Sequence, residues 1–260
     1  NKYPSSILEK GTQQIVSILN KYKVNATFFL SIFEHYNINN SEMKRVVELI
    51  KRFEVGLHTH PLWIDRENMH SYTLEEQTAL IKQGIELFEL YGLRTPTVHR
   101  AGAYGLDKNT LQALKNNHIF VDSSMFYSHE NCKEFWSKNQ IVKKGDLIEF
   151  PVTIFRRKMF DKNKNIISDK IVKTDLNSMF FDEFVNYVQF CKKSNLKYIN
   201  LFMHSYSLLN FKDGKFTLNI RDEKKLHKIL QYIVQDDELE IVTFEQLNED
   251  YSLNEKYDSI

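Results

Sequence analysis

Apolar residues recur along the chain with two periods, and the alternation between them predicts the elements. Residues 5–22 place Ile15, Ile18, Leu19 and Tyr22 at helical spacing, with Ser5 or Ser6 as the N-cap. NATFFL at 25–30 is short, apolar and β-rich, and predicts a buried strand. A helix over 41–51 turns Val46, Val47 and Ile50 inward, with Ser41 as its cap. A strand over 54–57 comes next. A long helix over 74–91 is opened by Thr73 with Glu76 three residues on, a capping box, and Gly92 suits its end. A strand at 97–100, a helix at 108–116 capped by Asp107 and a strand at 119–122 continue the alternation.

Residues 123–146 lose the periodicity and are predicted to be a long functional loop. A strand over 147–154 precedes a lysine-, asparagine- and aspartate-rich surface excursion at 158–178, to which no partner is assigned. The helix over 181–193 lines up Phe184, Val188 and Cys191. Strands at 198–203 and 238–242 flank a helix at 222–234, and Thr243 caps a closing helix over 244–249. About seven strands, mostly separated by helices, define an α/β fold with parallel strands, whose sheet either closes or is wound on both faces. No repeat or linker divides the 260 residues, so a single domain over 1–260 is expected.

Composition narrows the function classes. With 42% apolar and 13% aromatic residues the chain can bury a large core. Thirty-five basic against 34 acidic residues give a net charge of +1, with no basic field for nucleic acid and no basic tract for a membrane surface. No apolar run reaches the ~18–20 residues of a membrane span. Cys132 and Cys191 share no metal or disulfide pattern, and Cys191 belongs on a buried helix face.

The candidate chemistry falls just after predicted strands, where α/β barrels carry their active-site loops. In FEVGLHTHPLW, His58 and His60 alternate at a strand end, so both imidazoles can converge on one metal ion, although a catalytic zinc usually takes three protein ligands. In HRAGAYGLD, Arg100 ends a strand and two glycines allow a tight turn whose N–H groups could hold an oxyanion. Asp122, with Ser123 and Ser124, either orients a site group or makes a turn. His204 follows the apolar strand INLF and is a candidate general acid. His35, His70, His118, His129 and His227 lack such context and are expected to be structural or surface residues, His70 among them although it lies in the loop after the histidine strand.

These segments resemble, in order, the NodB-homology polysaccharide deacetylases (carbohydrate esterase family four). NATFFL is similar to the family's second strand, EVGLHTHP to its metal-binding histidine motif and HRAGAYGLDKNTLQAL to its arginine motif. VDSS and LIEFPVT resemble its next two strands and LFMHSYSLL its terminal histidine motif, so the likeness spans roughly residues 10–245. The resemblance implies a distorted (β/α) barrel of about seven parallel strands, a divalent metal ion, zinc-like, and hydrolysis of acetyl groups on an N-acetylated sugar or polysaccharide. It makes His58 and His60 metal ligands and His204 the general acid for the leaving amine. Arg100 would orient the catalytic aspartate, and the Tyr104 backbone would support the oxyanion at the substrate. The family's histidines are usually four apart, whereas here they are two apart and Leu62 takes the other position. The first-strand aspartate motif is absent, so the chain is expected to lack its first strand ahead of Asn1. Two rivals remain: a non-catalytic glycan-binding member, and a related C–N hydrolase acting on a small amide. A carbohydrate partner and a bacterial cytoplasm or cell envelope complete the expectations.

Overall fold

The computed structural model describes residues 6–134, 136–194 and 196–253. Helix α1 (Ser6–Tyr22) buries Ile15, Ile18 and Leu19, the predicted face, while Ser5 lies outside the described residues. Strand β1 (Thr27–Leu30) leads to α2 (Asn40–Ile50). Asn39 caps this helix in place of Ser41: its side chain accepts from the Glu42 N–H, so the helix starts one residue early. Strand β2 (Glu54–Thr59) runs two residues further than expected and carries His58 inside the strand. Helix α3 (Leu74–Leu90) has the Thr73–Glu76 capping box, and Gly92 follows it at φ 72°.

Strand β3 (Val98–Ala101) turns tightly into α4 (Lys108–Asn116), whose cap Asp107 accepts from Thr110 N–H at 2.8 Å. Strand β4 (Val121–Asp122) opens the long loop, which returns as β5 (Val142–Lys144) and β6 (Leu147–Glu149). The expected strand at 147–154 therefore divides, and its end begins β7 (Ile154–Phe160), paired antiparallel with β8 (Ile166–Lys173). The surface excursion is thus mostly a hairpin. Helix α5 (Phe181–Lys193) buries Phe184, Val188 and Cys191 as the spacing predicts. A small hairpin, β9 (Leu209–Lys212) and β10 (Lys215–Leu218), precedes α6 (Ile220–Val234) and α7 (Phe244–Leu253). Thr243 accepts from Gln246 N–H at 3.2 Å and caps this last helix as expected.

The main sheet has the order β1-β2-β3-β4-β6-β5, with every pair parallel except β5·β6. Helices α1 and α6 pack together, as do α1 with α2 and α3 with α4, to cover the sheet. The two remaining expected strands, 198–203 and 238–242, form no ladder. Phe202 makes one parallel bridge to Asp175, and Asn200 N–H donates to the Thr153 hydroxyl at 2.8 Å. Beyond 242 the chain closes towards β1 and β2 through Phe244 N–H, which donates to Glu54 of β2 at 2.9 Å and to the Thr27 hydroxyl of β1 at 3.3 Å. The barrel is distorted because these extended segments have no hydrogen-bonded strand beside them, and β1 is an edge of the ladder. Among the described residues no helix is long and apolar enough to cross a membrane.

Candidate active site

Parallel pairing aligns the strand-end motifs across the sheet. His58 lies opposite Arg100, while Leu57, His99, Asp122 and Glu149 form the adjacent row. Neighbours in a row share a face, and successive residues alternate. His58 and Arg100 therefore face the interior, where a cleft of ≈ 2150 Å³ is also lined by His60, Tyr104, Lys173 and His204. The other row faces the helical layer, since Leu57 packs against Gly84 of α3.

The two histidines of β2 come together, with ring centroids 6.0 Å apart and perpendicular planes. His58 Nδ1 donates to the Arg100 carbonyl at 2.7 Å, which fixes the tautomer and leaves the Nε2 lone pair free for a ligand role. Burial and then the neighbouring His60 push the His58 pKa down to about 3, so the ring is neutral at ordinary pH. Among the described residues, the buried His60 Nδ1 has no hydrogen-bond partner. Gly102 makes this crowding possible. A Cβ there would meet the His60 ring at 2.6 Å and the Thr59 carbonyl oxygen at 2.8 Å.

Two imidazoles are suitable donors for a zinc-like ion, and the orphaned His60 nitrogen fits that role. They form only part of a coordination shell: among the described residues no group of three or more His, Cys, Asp or Glu side chains could hold an ion. The pair can supply two ligands, with the remainder coming from outside this set.

Arg100 is 7% exposed and donates to Ser123, from Nε to the carbonyl at 2.8 Å and from Nη2 to the hydroxyl at 2.6 Å. Its guanidinium lies 4.4 Å from the Phe29 ring centroid. Burial lowers its pKa, partly opposed by Tyr198 and Tyr104. Among the described residues no carboxylate forms an ion pair with it, although buried charges are normally paired. The turn after β3 holds Ala103 and Tyr104 at φ 48° and 58°, a left-handed conformation that costs such residues about 1 kcal/mol or more each. Lys173 Nζ donates to the Tyr104 hydroxyl at 3.0 Å, and Phe126 and His129 pack against the Tyr104 ring, both at 4.9 Å. The unperiodic loop lines the cleft through Ser137, Asn139 and Gln140, and His129, expected to be a structural or surface residue, packs on the Tyr104 ring of its wall.

His204 stacks on Tyr206 with centroids 4.9 Å apart. Its surface is open to solvent, yet the flanking protein desolvates the ring enough to lower its pKa. The Asp175 charge opposes that shift, and Lys173 and Arg100 add to it. Lys173 and Asp175 lie 3.4 Å apart, so one ion pair touches both the Tyr104 turn and the His204 environment. Sequence reasoning missed both residues; the only signal for Asp175 was an acidic residue in the turn ahead of a helix, which normally means capping. Asp122, expected near substrate or as an orienting group, is fully buried in the helix-facing row and holds His99 and Ser124. His70 lies behind the turn, next to Gly105, with its Nδ1 unpartnered among the described residues.

Residues 3–120 match the family model described as polysaccharide deacetylase. No curated protein matches the sequence. Among solved structures, a proposed polysaccharide deacetylase from Mycobacterium smegmatis is similar at TM-score 0.63 and 13% identity, over 94% of this chain and 78% of that one. Another from Pseudomonas aeruginosa PAO1 gives TM-score 0.59 and 12% identity, over 95% and 74%. Puue allantoinase gives TM-score 0.62 and 10% identity, again over 95% and 74%. At such identities these structures speak for the fold. The family match falls on the residues that include His58, His60, Arg100 and Tyr104, so the segment that carries the candidate site is similar to the polysaccharide deacetylases.

Proposed function

We propose that this chain is a carbohydrate deacetylase that hydrolyses the acetyl amide of an N-acetylated sugar or polysaccharide with a zinc-like ion. The observation that carries the reading is the register of His58 opposite Arg100, with Tyr104 and His204 lining the same cleft. His58 and His60 would hold the ion, which supplies Lewis acidity to the acetyl carbonyl and to water. The chain's own groups do the rest. The turn at Tyr104 presents backbone N–H to the oxygen that gains charge. Buried Arg100 sets a positive field that favours an anionic reacting group. His204, at the cleft mouth, gives a proton to the departing amine. Lys173 and Asp175 tune it with opposite sign.

The test is acetate release from N-acetylated oligosaccharides, run alongside metal analysis of the protein. Turnover that needs a divalent ion and falls at least ~100-fold in His58→Ala and in His204→Ala supports the proposal. Turnover indifferent to chelation and to both substitutions refutes it. The two-imidazole donor set favours a second reading, a glycan-binding member without turnover. Saturable oligosaccharide binding with no acetate release under any added metal would establish that alternative.

A further inference from the structure

The β7–β8 hairpin carries a feature that the deacetylase reading does not use. Its base is anchored: Arg157 forms a two-pronged ion pair with Glu183 of α5, and Phe155 lies 5.7 Å from Tyr187 of the same helix. Beyond that base Met159, Phe160, Ile166, Ile167 and Ile171 stand open to solvent, Phe160 at 55% and Ile167 at 62%. Phe160 pairs with Ile166, with Met159 and the unpaired Ile167 next to them along the strands, so exposed apolar side chains gather on both faces of the hairpin's far end.

Charge surrounds this cluster in one sign. Residues 154–173 contain seven basic and two acidic side chains, although the whole chain has a net charge of only +1, so the rest of it is net acidic. The two acids are occupied within the hairpin. Asp169 accepts two bonds from Arg156, at 2.6 and 2.7 Å, and Asp161 accepts from Asn163 and Asn165 in the turn. Among the described residues Lys158, Lys162, Lys164 and Lys170 form no ion pair. The sequence showed no basic tract because these lysines are interleaved with asparagine, aspartate and apolar residues; the hairpin gathers them.

We propose that this hairpin docks the protein onto an anionic lipid surface, lying along the interface with its apolar cluster in the acyl boundary and its lysines among the headgroups. Apolar side chains flanked by lysines suit that interface, where lysine stems run along apolar surface while the ammonium reaches phosphate. Each basic residue near an anionic leaflet adds attraction that salt screens. Self-association through this face would oppose like charges. The inference does not depend on deacetylation.

The experiment is co-sedimentation of the 260-residue protein with vesicles of phosphatidylcholine alone and of phosphatidylcholine with one quarter phosphatidylglycerol. Partition into the anionic vesicles is expected to exceed that into the neutral ones by at least about tenfold, and to fall as salt rises. Phe160→Ser with Ile167→Ser, and separately Lys162→Gln with Lys164→Gln, should each reduce it by about tenfold while the thermal midpoint stays unchanged. Equal partition into both vesicle types would overturn the proposal, as would variants that bind like the parent. So would light scattering that shows a dimer dissociated by the same apolar substitutions.

Discussion

The His99 ring donates from Nδ1 to Asp122 at 2.6 Å, and both side chains are completely buried between the sheet and the helices. Beside them in register, Glu149 is also completely buried. Burial, and next the Asp122 charge, hold its carboxyl well above the usual carboxylate range. For Asp122 burial acts the same way, but the His99 bond and charge outweigh it and lower the pKa.

The two carboxyls therefore act on stability in opposite senses. Glu149, raised in the fold, keeps a proton that the unfolded chain loses above its ordinary value of 4.5. Stability should fall as pH rises from there towards the folded pKa, by up to about 1.4 kcal/mol per pH unit for one proton. Asp122, lowered in the fold, contributes stability above its ordinary value of 3.8 that is lost as pH falls through its folded value. Glu149→Gln, which can still accept the 2.8 Å bond from Met125 N–H, should remove the first slope and gain on the parent as pH rises. Urea denaturation across pH 4–8 checks this; parallel curves for parent and variant would contradict it.

Arg100 should resist conservative replacement. Arg100→Lys keeps the charge but cannot reach the Ser123 carbonyl and hydroxyl together, so a loss of about 1–3 kcal/mol is expected. Arg100→Met keeps much of the packing against Phe29 and removes a buried charge that no described carboxylate pairs. It should be the more stable of the two and the less active. Chemical denaturation and acetate release on the same preparations check the order.

Gly102 should accept no side chain. Gly102→Ala places a methyl group against the His60 ring and the Thr59 carbonyl, so β3 and the histidine turn must separate. Overpacking of this kind costs typically about 1–3 kcal/mol. The sharper expectation concerns the ion: calorimetric zinc titration should show affinity reduced about tenfold or more. A variant that melts lower yet binds zinc like the parent would separate the turn from metal binding.

Lys173 and Asp175 should shift His204 in opposite directions. Lys173→Met removes a positive neighbour and should raise the His204 pKa, moving the loss of its cation to higher pH; Asp175→Asn should lower it. Lys173→Arg should restore the parent value. Proton NMR titration of the His204 ring reads these shifts directly, with or without turnover.

Helices were the most legible part of the fold, because their caps and faces are local. Thr73 with Glu76, and the row Phe184, Val188 and Cys191, need no distant partner to be recognised. Strand character at 198–203 and 238–242 was equally plain in composition, yet a strand exists only beside another, and among these segments only Phe202 makes a bridge, to Asp175. In the site, His58, Arg100, Tyr104 and His204 announced themselves at strand ends. Glu149 was visible only as a charge inside an apolar strand. Lys173 and Asp175 lay hidden in a polar stretch because their meaning comes from contacts with Tyr104 and His204, far away in sequence.

The last residue of β8 is Lys173, which holds the Tyr104 hydroxyl. The hairpin that carries Phe160 and Ile167 outward therefore ends, without a linker, on the wall of the cleft. A load applied at its far end has a short mechanical path to the turn that shapes the chemistry. Attachment and turnover would then be two ends of one lever, and an enzyme anchored there would work with its mouth held at a set angle to the surface beneath it.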